Sequence, residues 1–272
     1  MESLIFRLKH GRKYSFKSIS KQGFGKCSAC GEKSEYTKTD VINAQLARTW
    51  GISEKEVSWF NYRESMSCSV CSSSLRARQL ARCVVDVMEC KGSLRDFVST
   101  DNARTLEVAE INTAGSLHPI LSELPRLKYS EYMSGDSETR SEDIQKLSYG
   151  TNQFDLVITS DTLEHIPELD KAVSEIHRVL KTGGYHIFTI PILLSRVTKK
   201  RAEKVDGKIK YISAPSYHGI DNNADYLVFN EFGRDILRYV DGFGFSTKLY
   251  YTHVLSNEPF FVLVSKKTDG SM

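Results

Sequence analysis

At 272 residues with 40% hydrophobic content, the chain is long enough to bury a full core. It contains no run of eighteen apolar residues, so a transmembrane span is not expected, and it shows no internal repeat and no low-complexity tract. The formal net charge of +3 hides an asymmetry: residues 1–100 hold 17 Lys/Arg against 10 Asp/Glu, and the remainder 20 against 24.

The first thirty residues carry seven basic groups and one acid, with Phe6, Tyr14, Phe16 and Phe24 interleaved. This composition suits a nucleic-acid footprint, a solvated face, or an adaptor for an anionic glycan, lipid head group or acidic partner. The opening stretch MESLIFRLKHGRKYSF lacks the long apolar core of a secretory signal, so a reducing, cytoplasmic setting is expected.

Cys27-x-x-Cys30 and Cys68-x-x-Cys71 each place two thiolates in one tight turn. Together they supply the four soft ligands of a tetrahedral structural Zn²⁺ site, which leaves no open position for substrate. The 37 residues between the pairs exceed the usual ribbon spacing and predict a small helical insert, with short helices over Thr39–Trp50 and Ser53–Phe60. Cys83 and Cys90 lie in the apolar helical run RQLARCVVDVMEC and are expected to be core thiols. Residues 1–95 are thus expected to form a small zinc-binding module with a helical insert, and residues 96–272 one α/β domain.

Within that domain Arg104–Glu110 reads as a strand, INTAGSLHPIL as loop into helix, and Leu127–Tyr132 as a second strand ending in Glu131. Phe154–Ser160 is a short apolar run rich in β-branched residues, as a buried parallel strand should be. From Leu169 the period changes: Leu169, Ala172, Val173, Ile176, Val179 and Leu180 mark one face of a helix. Lys181–Gly184 should stop it, and Tyr185–Ile190 is a further buried strand closed by Pro191. Residues 192–229 read as an insertion leaving the carboxyl end of that strand. Long loops at this edge are usually functional. Asn230–Tyr239 reads as a helix stopped at Asp241-Gly242, followed by strands over Phe245–Thr252 and Phe260–Lys266.

The run FDLVITSDTLEHI…EIHRVLKTGG…P resembles the second half of a class I S-adenosylmethionine-dependent methyltransferase domain, type 11-like, of the group that ends its fourth strand in an acid-His motif. The resemblance implies a Rossmann-like, doubly wound, seven-stranded sheet whose last strand is antiparallel. It also implies an upstream half, which is present in altered form. Glu107 stands at the acidic position of the first strand, Ala109 at a usual glycine, and only Gly115, before Ser116, survives of the glycine-rich turn. Glu131, next to Tyr132, matches the ribose-binding acid, because a carboxylate accepts hydrogen bonds from a vicinal diol. Asp143 and Ile144 match the adenine-contacting segment. Ser160 and Asp161 complete the implied donor contacts.

Methyl transfer from a sulfonium is an in-line displacement in which the protein mainly orients the partners. A hydroxyl acceptor also needs a base, and His165 after the fourth strand and His218 in the insertion are the two candidates. Arg201, Tyr217 and Asp221 are the insertion's candidate acceptor contacts. His118 and His177 read as helix-surface or packing residues. The resemblance narrows to small bacterial methyltransferases with an N-terminal cysteine-pair module, which implies a hydroxyl of a small-molecule or carbohydrate-type acceptor. Two alternatives stand beside it. One is a zinc-finger RNA (rRNA or tRNA) base methyltransferase, although Ser160-Asp161-Thr162-Leu163 replaces the Asn/Asp-Pro-Pro-aromatic motif of amino-group methylases. The other is a non-catalytic binding module of the same fold, motivated by the reduced glycine turn.

Overall fold

The computed structural model describes residues 16–18, 25–217, 226–253 and 259–269. The main sheet comprises β1 (Val108–Ile111), β2 (Leu127–Glu131), β3 (Arg140–Ser141), β4 (Phe154–Ser160), β5 (Leu180–Thr189), β6 (Phe245–His253) and β7 (Pro259–Lys267). Their order is β6-β7-β5-β4-β1-β2-β3, with Phe16–Ser18 paired parallel to β6 at the edge. β4 and β5 are parallel, as are β2 and β3, and the last two strands are antiparallel. The expected doubly wound seven-stranded order is therefore present, with its reversal at β1 and β4, where open α/β sheets bind ligands. Among the described residues no helix is long and apolar enough to cross a membrane.

Two compact units are distinguished. The first comprises Met1–Val108, Ala114–Lys128 and Lys248–Val264. Its helices are α1 (Ala44–Trp50), α2 (Glu54–Glu64), α3 (Leu75–Val87), α4 (Leu94–Val98), α5 (Asp101–Thr105) and α6 (His118–Leu121). Both expected insert helices exist. Asn43 and Ser53 cap them, Ser53 in a reciprocal capping box with Glu56. Asn61, buried on α2, accepts from the amides of Val41 and Ile42 at 2.8 Å each and so anchors the approach to α1. α3 buries Leu75, Leu80, Ala81, Cys83, Val84 and Val85. Cys83 is a core thiol as expected, but Cys90 lies beyond the helix and donates to the Lys91 carbonyl.

The second unit comprises Ala109–Thr113, Tyr129–Thr247 and Ser265–Met272. Helix α7 (Leu169–Val179) buries the predicted stripe of Leu169, Ala172, Val173, Ile176 and Val179. Leu180 already belongs to β5, which begins five residues before the expected Tyr185. The Lys181–Gly184 segment bulges: Phe154 pairs with Leu180, yet Leu156 pairs with Tyr185. Gly183 has φ +78°, and a Cβ on Gly184 would sit 2.9 Å from the Lys181 carbonyl and 3.1 Å from that of Asp155. Lys267, nearly buried, donates at 2.8 Å to Asn152 Oδ1 and to the carbonyls of His177 and Leu180, which satisfies the end of α7.

Two expectations are corrected here. The strand expected over Arg104–Glu110 starts only at Val108, because Thr100 caps a short helix over Asp101–Thr105. The helix expected from Asn230 is a strand over Asn230–Gly233, and helix α8 spans only Ile236–Asp241. That strand pairs parallel with Ile192–Leu193 and antiparallel with Lys199–Lys200. A Cβ on Gly233 would collide with the backbone of Arg196 and Val197, so the pairing demands glycine there. The insertion also forms a hairpin, Ala202–Val205 against Lys208–Tyr211.

His186 on β5 is 2% exposed, stacks on Phe188 at 4.1 Å and bonds Thr159 Oγ1 at 2.9 Å. Burial pushes its pKa down from 6.5 to about 3. Between these values the unfolded chain binds a proton that the folded chain refuses, so this contribution is present above pH 6.5 and is lost as pH falls toward 3. Urea unfolding between pH 6.5 and 4 should show a steeper loss of stability for wild type than for His186→Phe, by about 1.4 kcal/mol per pH unit. Parallel slopes would contradict this.

Candidate functional site

Within the second unit, three residues just past strand carboxyl ends adopt left-handed backbone. Asn112 follows β1 (φ 56°), Met133 lies two residues beyond β2 (φ 48°), and Asp161 follows β4 (φ 49°). Such conformations persist where the surroundings enforce them and concentrate at functional sites. Asn112 is fixed twice: its amide donates to the Ser130 carbonyl at 2.8 Å, and its Oδ1 accepts from the Tyr132 amide at 2.9 Å.

Glu131 sits at the centre of this edge. Its Oε1 accepts from the Thr113 amide at 3.0 Å and from the Tyr129 hydroxyl. Burial raises the Tyr129 pKa, as do its hydrogen bond to Glu131 and the charges of Glu131 and Glu110, so the phenol stays a donor. Oε2 of Glu131 makes no hydrogen bond among the described residues and is the oxygen left to accept from a ligand. The sequence does not single out Asn112, Thr113 or Tyr129. The available signal is an Asn directly after a strand, since Asn tolerates the left-handed region better than most residues.

Glu107 lies ahead of β1, paired with Arg126 at 3.2 Å. The buried acid of that strand is instead Glu110, fully shielded and not among the sequence-based candidates. Ala109 is fully buried in β1. In the first unit Gly115 has φ +61°, a Cβ placed on it would meet nothing within 4 Å, and it opens a 3-10 turn, Gly115–Leu117. Asp143 accepts from the Gln145 amide at 2.9 Å, and Ile144 is buried. Its neighbour Glu142 is also buried. Burial raises the Glu142 carboxyl, but bonds from Ser148 and the Arg140 guanidinium outweigh it and hold the pKa low.

Past β4, Ser160 Oγ lies 3.3 Å from Thr189 Oγ1, and the Asp161 amide donates to the Thr189 carbonyl at 3.0 Å. Leu163–His165 then form a 3-10 turn. The insertion's return segment fastens onto this turn. The Phe229 amide donates to the Glu164 carbonyl at 2.8 Å, Asn230 Nδ2 to the Ile166 carbonyl at 2.8 Å, and His165 Nδ1 to the Leu227 carbonyl at 3.0 Å. Because that carbonyl can only accept, Nδ1 holds the proton of the neutral ring and Nε2 carries the lone pair. Burial lowers the His165 pKa, against the opposing Leu227 contact and Asp161 charge, so the ring is neutral near pH 7. Nε2 lies 3.8 Å from Glu164 Oε1.

Arg201 is engaged within the insertion. It is 5% exposed, pairs with Glu231 and donates to the Ala214 carbonyl at 2.6 Å, so it pins the insertion. Tyr217 bridges to Leu227, the residue that also receives His165, and its hydroxyl lies 3.5 Å from that of Tyr211. His218 and Asp221 lie outside the described residues. His177 packs edge-on against Phe245 at 5.1 Å, and His118 begins α6.

In the first unit the two cysteine pairs sit in matching turns. Gly31 donates to the Cys27 carbonyl and Cys27 to the Glu32 carbonyl, while Ser72 donates to the Cys68 carbonyl and Cys68 to the Ser73 carbonyl. Each turn closes on a left-handed residue, Gly31 (φ 82°) or Ser72 (φ 58°). The four Sγ atoms lie within 4.8 Å of one another, with Cys27–Cys71 at 3.7 Å and Cys30–Cys68 at 3.9 Å. A tetrahedron with Zn–S arms of about 2.3 Å has edges of about 3.8 Å, so the residues fit Zn²⁺. Burial pushes the Cys27 thiol up. It also raises Cys68, but hydrogen bonds involving Ser34, Cys71 and Val70 outweigh it and bring the pKa to about 6. Arg78, 4% exposed and stacked on Tyr36 at 3.9 Å, provides a buried positive charge beside these sulfurs.

Comparison with known proteins places residues 105–188 in a match to the methyltransferase domain family. A demethylmenaquinone methyltransferase of Bacteroides fragilis is 31% identical over 83 residues, 30% of this chain, and the chain spans about a third (34%) of that relative's length. Among solved structures, the Burkholderia thailandensis 1,6-didemethyltoxoflavin-N1-methyltransferase with bound 1,6-didemethyltoxoflavin and S-adenosylhomocysteine is 13% identical. That match covers 86% of this chain and 95% of the other, with a TM-score of 0.44. An S-adenosylmethionine-dependent methyltransferase of Mesorhizobium loti is 12% identical, covering 69% and 98%, with a TM-score of 0.44. The segment shared with the methyltransferase domain family, residues 105–188, contains β1, β2 and β4 and so carries Glu131, Asp143 and His165.

Proposed function

We propose that the chain is an S-adenosylmethionine-dependent methyltransferase that acts on a small-molecule acceptor and holds one structural Zn²⁺ on Cys27, Cys30, Cys68 and Cys71. The observation that carries the reading is Glu131, a carboxylate with one oxygen anchored and one open at the reversal edge of the sheet, inside the segment that matches the methyltransferase domain family. In this reading Glu131 Oε2 accepts from the donor's ribose, and Asp143 and Ile144 meet the adenine. Ser160, Asp161 and Tyr132, in the same unit, line the remainder. When bound, the donor supplies an already electrophilic methyl group. A small-molecule acceptor is favoured by the name of the Bacteroides fragilis relative. The basic stretch that motivated nucleic acid lies almost wholly outside the described residues, and no observation favours RNA or glycan.

For a hydroxyl acceptor, His165 Nε2 is the base: its tautomer is set by Leu227, and the ring is neutral before the reaction. Tyr217, bridged to Leu227, stands on the acceptor side. His165→Ala should lower turnover by about 10²–10⁴-fold with little change in donor affinity. Near-normal turnover would remove His165 as base. The reading as a whole is tested by incubating purified protein and methyl-labelled donor with fractionated extract. Label should enter a small-molecule fraction; label in RNA or polysaccharide would redirect the acceptor assignment, and no transfer to any fraction would contradict the activity.

A further inference from the structure

The hairpin of the insertion, Ala202–Val205 against Lys208–Tyr211, leaves apolar side chains in solvent. Its register sorts the side chains onto two faces, because residues directly opposite in an antiparallel pair point the same way. Ala202 with Tyr211 and Lys204 with Ile209 share one face, and Glu203 with Lys210 and Val205 with Lys208 share the other. Ala202 is fully buried and packs with Leu227 and Phe229, so the first face starts on the protein. Beyond it every residue from Lys204 to Ile212 is exposed, and Val205, Ile209, Tyr211 and Ile212 each expose between 39% and 51% of their surface. The base is nevertheless held firmly. The Arg201 amide donates to the Phe229 carbonyl at 2.7 Å, and its carbonyl accepts from the Ile212 and Ser213 amides at 2.8 and 3.0 Å. All of these residues belong to the second unit.

Charge accompanies the apolar groups. Lys199, Lys200, Lys204 and Lys208 are exposed and make no ion pair among the described residues. Glu203 is already paired with Lys210 at 3.0 Å. The acid at the tip, Asp206, is explained by the turn: Asp206 (φ 50°) and Gly207 (φ 77°) are the two left-handed residues that a two-residue hairpin turn requires. Positive charge alone would suit any polyanion. Nucleic acid rewards free arginine forks and ring stacking, but Arg201, the arginine of this segment, is buried in its own bonds. Val205, Ile209 and Ile212 have no hydrogen bond and no π-face to offer a base. A bilayer surface uses both features: aliphatic tips and a tyrosine enter the headgroup region, while lysine stems carry their ammonium groups to lipid phosphates.

We propose that the hairpin tip is a docking surface for an anionic lipid bilayer. Apolar residues lie on both faces near the turn, so the ribbon enters tip first. Val205 and Ile209 pass below the headgroups, Tyr211 lies at their level, and Lys204 and Lys208 bind their phosphates. The docked tip stays linked to the turn that carries His165, because Phe229, which receives the Arg201 amide, donates to the Glu164 carbonyl. The proposal stands independently of the donor reading.

The test is flotation of the full chain with vesicles of phosphatidylcholine alone and of phosphatidylcholine mixed with phosphatidylglycerol. The expected result is binding to the anionic vesicles and little to the neutral ones. The double variant Lys204→Glu, Lys208→Glu should weaken binding by about tenfold or more, and Ile209→Ser by about threefold or more. Asp206→Asn keeps a residue the turn accepts and removes its charge, so binding should strengthen by about threefold or more. All four positions are exposed, and an unchanged thermal midpoint verifies that each variant is folded. No binding of the wild-type chain to anionic vesicles would overturn the proposal. Binding that the hairpin variants leave unchanged would also overturn it, and would assign the contact to another basic surface. Binding of poly(U) that the double variant abolishes, without vesicle binding, would overturn it in favour of nucleic acid.

Discussion

Replacing Cys68 with serine is expected to release the metal and to unfold the segment built on the two cysteine turns. The physical reason is the size of the interaction relative to the core around it. Cys27, Cys30 and Cys68 are almost fully buried, and without a metal the four packed sulfurs are left with thiol contacts and single weak bonds such as Val70 N–H to Cys68 and Cys71 to Ser73. Structural zinc contributes roughly 10–16 kcal/mol of apparent binding free energy in small zinc-dependent folds, more than a segment of this size gains from apolar burial alone. The residues that hang on these turns are specific: Leu94 and Arg95 donate to the Ser28 and Ala29 carbonyls at 2.8 and 3.0 Å, which ties α4 to the first turn, and Tyr36–Thr37 pairs with Ser67–Cys68. Elemental analysis should find one zinc per wild-type chain and almost none in Cys68→Ser, and limited proteolysis should open the variant between the two cysteine pairs. A zinc-free wild-type chain, purified without chelator and resistant to the same protease, would contradict the assignment.

Replacing Glu131 with alanine is expected to weaken donor binding by about 1.5–3 kcal/mol, the scale of a lost hydrogen bond to a charged group, or roughly 10–150-fold in affinity. The loss has two parts. The open Oε2 disappears, and so does the acceptor for the Thr113 amide and the Tyr129 hydroxyl. Tyr129→Phe separates them: it removes one of the two bonds that aim the carboxylate but keeps the carboxylate itself, so its effect should be clearly smaller. Equilibrium dialysis with labelled S-adenosylhomocysteine reads both. Equal affinity in wild type and Glu131→Ala would remove Glu131 from the ribose role.

Much of this is legible in the sequence because its signals are local. The stripe from Leu169 to Val179, the apolar run of β4 and the two cysteine pairs each declare themselves within a dozen residues. The left-handed Asn112, Met133 and Asp161 do not, since a non-glycine residue adopts that backbone only when distant contacts hold it, as Tyr132 and Ser130 hold Asn112. The return segment misleads for a related reason. Asn230–Tyr239 has helical spacing, but Asn230–Gly233 finds Ile192–Leu193 and Lys199–Lys200 as partners, and tertiary pairing overrides propensity. Arg201 reads as an acceptor contact because a basic residue in a loop resembles a solvent-facing one. Only the fold shows Glu231 and the Ala214 carbonyl occupying its fork.

The claim on which the rest depends is that this chain binds an S-adenosyl donor at the edge marked by Glu131. Isothermal calorimetry of the wild-type chain with S-adenosylhomocysteine tests it most directly. The account predicts saturable binding at one site per chain, with a matching rise in thermal midpoint. No heat and no thermal shift at any ligand concentration, with protein shown to be folded and zinc-loaded, would contradict it.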